Sequence, residues 1–155
     1  VYEPLQVEHT ISPSMDIQLA SNFERLIFDI FDCDTDRTIE VMKDLNEKGQ
    51  FKLNRKEVDK IRNFFYSESL SDDETKLVIK KVYNDHGFLI DPHTAVALGA
   101  SNKINLEGNT VILATAHPFK FSNTIVKETG TKPELPKNLD DILVKKEKYE
   151  SLNLE

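Results

Sequence analysis

The run Val111-Ile112-Leu113-Ala114 stops abruptly at Thr115-Ala116-His117-Pro118, and this stop constrains the fold more than any other feature of the chain. A short apolar run rich in β-branched and aliphatic residues predicts a buried strand over about 110–114. Pro118 suits the first position of a helix, where its missing N–H leaves no bond unmade. Thr115 is therefore expected at the carboxyl end of a strand, just ahead of a helix that runs to about Glu128. Ligands of open α/β sheets bind beyond the carboxyl ends of strands, so a hydroxyl placed there can meet a small polar molecule.

The remainder reads as helical. Ile17, Ala20, Phe23, Ile27, Phe28 and Phe31 recur at helical spacing and predict a helix over about Ser14–Asp32. Asp34-Thr35-Asp36 caps a second, which turns Ile39, Met42 and Leu45 inward and closes at Gly49. A short extended link, Phe51-Lys52-Leu53, leads to Asn54 with Glu57, an approximate capping box for a helix bearing Val58, Ile61 and Phe65. Ser71 with Glu74 fits that box better and starts a helix bearing Val78, Ile79 and Val82 that ends at Gly87. Asp91 then caps and Pro92 opens a helix whose Ala95–Ala100 stretch is small enough for close approach. Lys132–Pro136 is a linker, and Asn138 caps a last, charged helix to about Tyr149. The fold class is α/β, predominantly helical, with Phe88-Leu89-Ile90 a weak second strand candidate. A lone buried strand leaves its ladder groups unpaired, so the strand expects neighbours from a further domain.

With 155 residues, 39% of them hydrophobic, one globular domain is the default. Lys and Arg total 20 against 27 Asp and Glu, a net charge of -7. That acidity argues against nucleic acid or an anionic membrane as partner. Cys33 is the single cysteine, so no internal disulfide forms and a reducing cytoplasm is expected. No run approaches membrane-spanning length, and no signal peptide is read at the start. Val1 in place of methionine suggests a piece of something longer, and Leu154-Glu155 is expected to be a vector remnant.

Side chains with chemistry are few. His117 either contacts a ligand or fills the start of its helix; Thr115 beside it, with Lys120, strengthens the ligand reading. Arg25 can clamp a phosphate or carboxylate through its fork, or pair with a nearby acid. Asn22, next to Phe23, suggests a specific hydrogen bond. Asp91-Pro92-His93-Thr94 reads primarily as a helix start, with His93 reaching a backbone carbonyl. Spacing supports no metal site and no nucleophile motif. The five glycines, at 49, 87, 99, 108 and 130, are scattered, so no glycine-rich phosphate cradle is present.

Several segments, in order, resemble the carboxyl-terminal part of threonine synthases: Ser12-Pro13-Ser14-Met15-Asp16-Ile17-Gln18, Ala20-Ser21-Asn22-Phe23-Glu24-Arg25-Leu26, Asp91-Pro92-His93-Thr94-Ala95-Val96 and Ala114–Phe121. The likeness runs from about Val1 to Leu143. Ala97 departs from it where glycine is usual, and Phe119 where alanine is usual. The resemblance implies a pyridoxal phosphate enzyme of the tryptophan-synthase-β-like fold, converting O-phospho-L-homoserine and water to L-threonine and phosphate. It implies Thr115 as the partner of the cofactor's pyridine nitrogen, with His117, Lys120 and Arg25 as substrate or site support. It places the Schiff-base lysine and the phosphate loop upstream, so no catalytic residue is expected in this chain and the chain alone should be inactive. Residues 1–108 would then be a mainly helical segment, and 109–155 a strand-helix return into the cofactor domain followed by a carboxyl-terminal helix. A threonine-synthase-like phospholyase and a non-catalytic helical interaction module are the alternatives.

Overall fold

A computed structural model describes residues 1–104, 107–139 and 141–152. Its α-helices are α1 (Ser21–Ile30), α2 (Thr35–Lys48), α3 (Arg55–Arg62), α4 (Asp72–His86), α5 (Pro92–Ile104) and α6 (Ser122–Thr129). Single turns of 3-10 helix cover Pro13–Met15, Pro118–Phe121 and Lys137–Leu139. Among the described residues, no helix is long and apolar enough to cross a membrane.

Local chemistry explains several helix boundaries. Asp34 caps α2 by accepting the Arg37 N–H at 3.0 Å. Capping boxes start α3 and α4: Asn54 pairs reciprocally with Glu57, and Ser71 with Glu74. Gly49 closes α2 at φ +71°, a left-handed position that glycine takes without steric cost.

The helices gather around two apolar clusters. Ile27, Ile30 and Phe31 meet Val41 and Phe51, with Tyr2, Phe23, Met42 and Leu45 at the margin. Tyr2 and Phe51 also form an isolated antiparallel bridge, which docks the amino-terminal segment beside α1 and α2. The second cluster joins Ile79 of α4, Ala95 of α5 and Ile125 of α6, flanked by Leu89, Ile90 and Phe121. Small residues let α5 approach: a Cβ on Gly99 would sit 2.2 Å from Leu70 Cδ2. Between α1 and α2 the chain reverses through Asp32 and Cys33, both left-handed at φ 57° and 62°. The Lys60 ammonium holds this turn by donating to the Ile30 carbonyl and the Asp32 carboxylate. Arg37 ties α2 to α3, its fork reaching both oxygens of Glu57.

Several expectations need correction. The first helix starts at Ser21 rather than Ser14, because Asp16 is engaged by Thr10, whose N–H and hydroxyl both donate to its carboxylate. Ile17 is accordingly 57% exposed instead of inward. On α2 the inward face is set by Thr38 and Val41, and Ile39 points out. α3 ends at Arg62, before Phe65, which is exposed. The helix expected from Pro118 to Glu128 is a 3-10 turn followed by α6.

The expected strand does not form. Residues 110–115 take no regular structure, and neither do 88–90. A strand is stabilised by ladder partners, and none reaches 110–115 among the described residues. Val111 and Leu113 are left 81% and 73% exposed. The carboxyl-terminal helix is also missing: the 3-10 turn at Lys137–Leu139 gives way to turns over 141–144. The side chains of 141–152 are exposed, so among the described residues no apolar face is buried there to hold a helix. Asp140 and Leu154-Glu155 lie outside the described residues.

Candidate functional site

The abrupt stop after Ala114 does create a concave surface. An open cavity of about 650 Å³ is lined by Leu89, Ala114, Thr115, Ala116, His117, Pro118, Pro133 and Glu134. Thr115 and His117 thus share one cavity, and both are exposed. The walls are mostly apolar, and the polar groups are a hydroxyl, an imidazole and a carboxylate, a composition typical of small-molecule sites.

Of the two readings of His117, the structure shows the cap, and it also places the ring at the cavity wall. Its Nδ1 accepts the Phe119 N–H at 3.3 Å, so the ring caps the turn Pro118–Phe121 while facing the cavity. That bond uses the Nδ1 lone pair as its acceptor. Lys120 stands on the same turn, exposed, with its N–H on the His117 carbonyl. Arg25 and Asn22 are exposed on α1, and neither lines this cavity. Nothing in the sequence around Glu134 singles it out; the linker Lys132–Pro136 gives no signal that it lines one cavity with Leu89 and Thr115.

The helix-start motif at Asp91 is more tightly built than a cap requires. Asp91, His93 and Thr94 are buried, Asp91 to 1% exposure. That carboxylate accepts from the His93 N–H at 3.0 Å, from His93 Nδ1 at 2.8 Å and from the Thr94 hydroxyl. Such charge-assisted bonds offset the cost of burying a carboxylate. His93 does not reach a carbonyl. Its Nε2 accepts the Ser14 N–H at 3.1 Å, which joins the Ser12-Pro13-Ser14 segment to α5.

Charged groups around this region are held by their partners. Glu74, at the start of α4, is held at a pKa of about 2 by the Lys103 ammonium first, then by the Ser71 N–H and hydroxyl. Asp16 is lowered chiefly by the Thr10 N–H and next by the Thr10 hydroxyl. Among the described residues, no group of His, Cys, Asp and Glu is placed to hold a metal ion.

Residues 94–155 match the family described as "Threonine synthase, C-terminal". The threonine synthase of Pseudomonas aeruginosa is 34% identical over 150 residues, a match covering 95% of this chain and 32% of that protein. That of Saccharomyces cerevisiae is 32% identical, over 77% of this chain and 27% of its own length. Human threonine synthase-like 1 is 31% identical over 79% of this chain and 17% of its own. Among solved structures, a PLP-bound threonine synthase from Brucella melitensis superposes with a TM-score of 0.87 at 37% identity, over 96% of this chain and 32% of that one. The yeast enzyme superposes with a TM-score of 0.80 at 28% identity, over 94% and 34%. The chain therefore spans about a third of the length of the bacterial relative, 32% of it. By sequence and by fold, it belongs to the threonine synthase family and matches the carboxyl-terminal portion of its members.

Proposed function

We propose that the whole protein to which this chain belongs is a pyridoxal phosphate-dependent lyase that converts O-phospho-L-homoserine and water to L-threonine and phosphate. The observation that carries the reading is the cavity in which Thr115 and His117 meet. Its residues fit one end of the cofactor. Leu89, Ala114, Ala116 and Pro118 offer apolar walls to a flat ring, and Thr115 offers a neutral hydroxyl to the ring nitrogen. No lysine or arginine is among its lining residues, and in this reading the phosphate grip and the lysine that attaches the cofactor belong to the rest of the polypeptide.

When bound, the cofactor supplies an electron sink. The residues of this chain orient and tune it. The Thr115 hydroxyl both donates and accepts, so it orients the ring without holding the nitrogen's proton as a carboxylate would. The apolar walls keep water from that face. Lys120 and His117 stand at the same end, where a cation and an imidazole suit a phosphorylated amino acid. Arg25 is the remaining support candidate, through bidentate contact with phosphate or carboxylate.

In this reading residues 109–155 return the chain to the cofactor domain, while 1–108 form the helical part. Segment 110–115 completes a strand against the rest of the polypeptide. The setting is the cytoplasm, with no nucleic acid or membrane partner. A free-standing helical interaction module is disfavoured by the exposed Val111 and Leu113, which a self-sufficient core would cover.

Reconstitution tests the reading. The full-length protein should bind pyridoxal phosphate with a visible band that borohydride fixes to a lysine, and should release phosphate and threonine together. This chain alone should do neither. Thr115→Val, which removes the hydroxyl at constant shape, should cut turnover of the full-length enzyme at least about tenfold. A normal rate of threonine formation by this chain, or by the Thr115→Val enzyme, would overturn the reading. A second reading is a threonine-synthase-like phospholyase acting on a related phosphorylated amino acid, since the chain also matches a protein named threonine synthase-like 1 and the cavity by itself fixes no substrate. Assaying the full-length protein on several such substrates separates the two.

A further inference from the structure

The His93 ring touches separate parts of the chain. Nδ1 lies 2.8 Å from Asp91 Oδ1, and Nε2 accepts the N–H of Ser14, 79 positions away, at 3.1 Å. The ring also meets Phe121 edge to face, with centroids 5.0 Å apart and planes at 61°. A ring nitrogen that accepts a backbone N–H carries no proton. The His93 imidazole is therefore neutral, with its one proton on Nδ1 directed at Asp91.

Both ends of this linkage are tied to further structure. The segment that presents Ser14 is closed on itself, with Thr10 donating twice to Asp16 and Ser12 buried. Phe121 ends the turn Pro118–Phe121, packs on the Ile79, Ala95 and Ile125 cluster, and leads into α6. A turn of four residues is placed by what its ends touch; at one end stands His117, in the cavity, and at the other Phe121, against His93.

We propose that His93 is a positioning residue of the Thr115–His117 cavity: its neutral ring locks the turn bearing His117 and Lys120, through Phe121, to the Ser12–Ser14 segment. The effect on ligand binding rests on the function proposed above, while the effect on the turn does not. The two are tested separately in the full-length protein.

The first measurement is amide hydrogen exchange in His93→Asn, His93→Gln and Phe121→Leu proteins. The Asn amide can replace the Nδ1 donor to Asp91 but is too short to reach Ser14. The longer Gln amide can accept from Ser14 but loses the Asp91 bond. Exchange at 117–121 should rise at least about tenfold in His93→Asn and Phe121→Leu, and less in His93→Gln, with α2 unchanged. Nitrogen NMR of labelled histidine should show His93 protonated on Nδ1 alone. The second measurement is pyridoxal phosphate affinity, which should weaken about tenfold in His93→Asn and partly recover in His93→Gln. Unchanged exchange at 117–121, equal acceleration in α2, or a proton on Nε2 would overturn the proposal. Should His93→Asn fail to fold, Phe121→Leu, which keeps both hydrogen bonds, decides it by the same readouts. Should the wild-type protein bind no cofactor, the functional reading fails, and the exchange pattern still decides the role of His93.

Discussion

Replacing Val111 and Leu113 together by threonine separates a surface loop from an unpaired strand. Full burial of a valine or leucine side chain contributes about 1.5–3 kcal/mol. Within this chain the two are 81% and 73% exposed, so most of that contribution is unrealised. Threonine keeps the β-branched shape of Val111, suits an extended backbone at 113 as well, and removes apolar surface at both. In the isolated chain the double change should therefore stay within about 0.5 kcal/mol. In the full-length protein, a strand covered by neighbours should lose about 1–2 kcal/mol per residue, or about 2–4 kcal/mol for the pair. The assay is urea unfolding of both forms, wild type and variant, followed by far-ultraviolet circular dichroism. Equal slopes with a shifted midpoint identify a pure stability change. A full-length variant within about 0.5 kcal/mol of wild type would refute the reasoning, because segment 110–115 would then be as bare in the whole protein as it is here.

Other consequences follow from the same geometry. Ile79 is fully buried between α5 and α6, so Ile79→Ala should cost about 2–5 kcal/mol, whereas Leu77→Ala, at a position 65% exposed on the same helix, should cost under about 0.5 kcal/mol by the same unfolding assay. Ser71→Ala removes the oxygen that accepts the Glu74 N–H and should cost about 1 kcal/mol, with faster amide exchange confined to the first turn of α4. Glu74 titrates at about 2 in the folded protein against an ordinary 4.5, so its contribution is present above 4.5 and is lost as pH falls from 4.5 through 2. Carboxyl NMR should show that low midpoint, and Lys103→Met should move it back toward the ordinary value, since the lysine is the largest cause.

Much of the helical framework is legible because its signals are short in range. Ser71 and Glu74, Asn54 and Glu57, and Asp34 with its helix all act within a turn of the chain, and each starts a helix in the structure. Gly49 and Gly87 mark helix ends for an equally local reason, the left-handed backbone that a closing residue takes. Reading fails where a partner is remote. Ser14 resembles a helix start until Thr10 takes Asp16, and Ile39 fits an inward stripe until packing selects Val41. The run 111–114 has the composition of a strand, yet composition supplies only one side of a ladder.

The candidate site divides along the same line. Thr115 and His117 are legible as candidates because the apolar run ends at Ala114 and Pro118 follows His117. That Glu134 and Leu89 complete their cavity was not visible, since both come from other segments. Residue order alone determined the helix caps and the hydroxyl and imidazole that close the apolar run, because these depend on neighbours within a few bonds. Only the tertiary structure decided that His93 spends its second nitrogen on Ser14 and its edge on Phe121, because contacts across such separations exist only after the helices have packed.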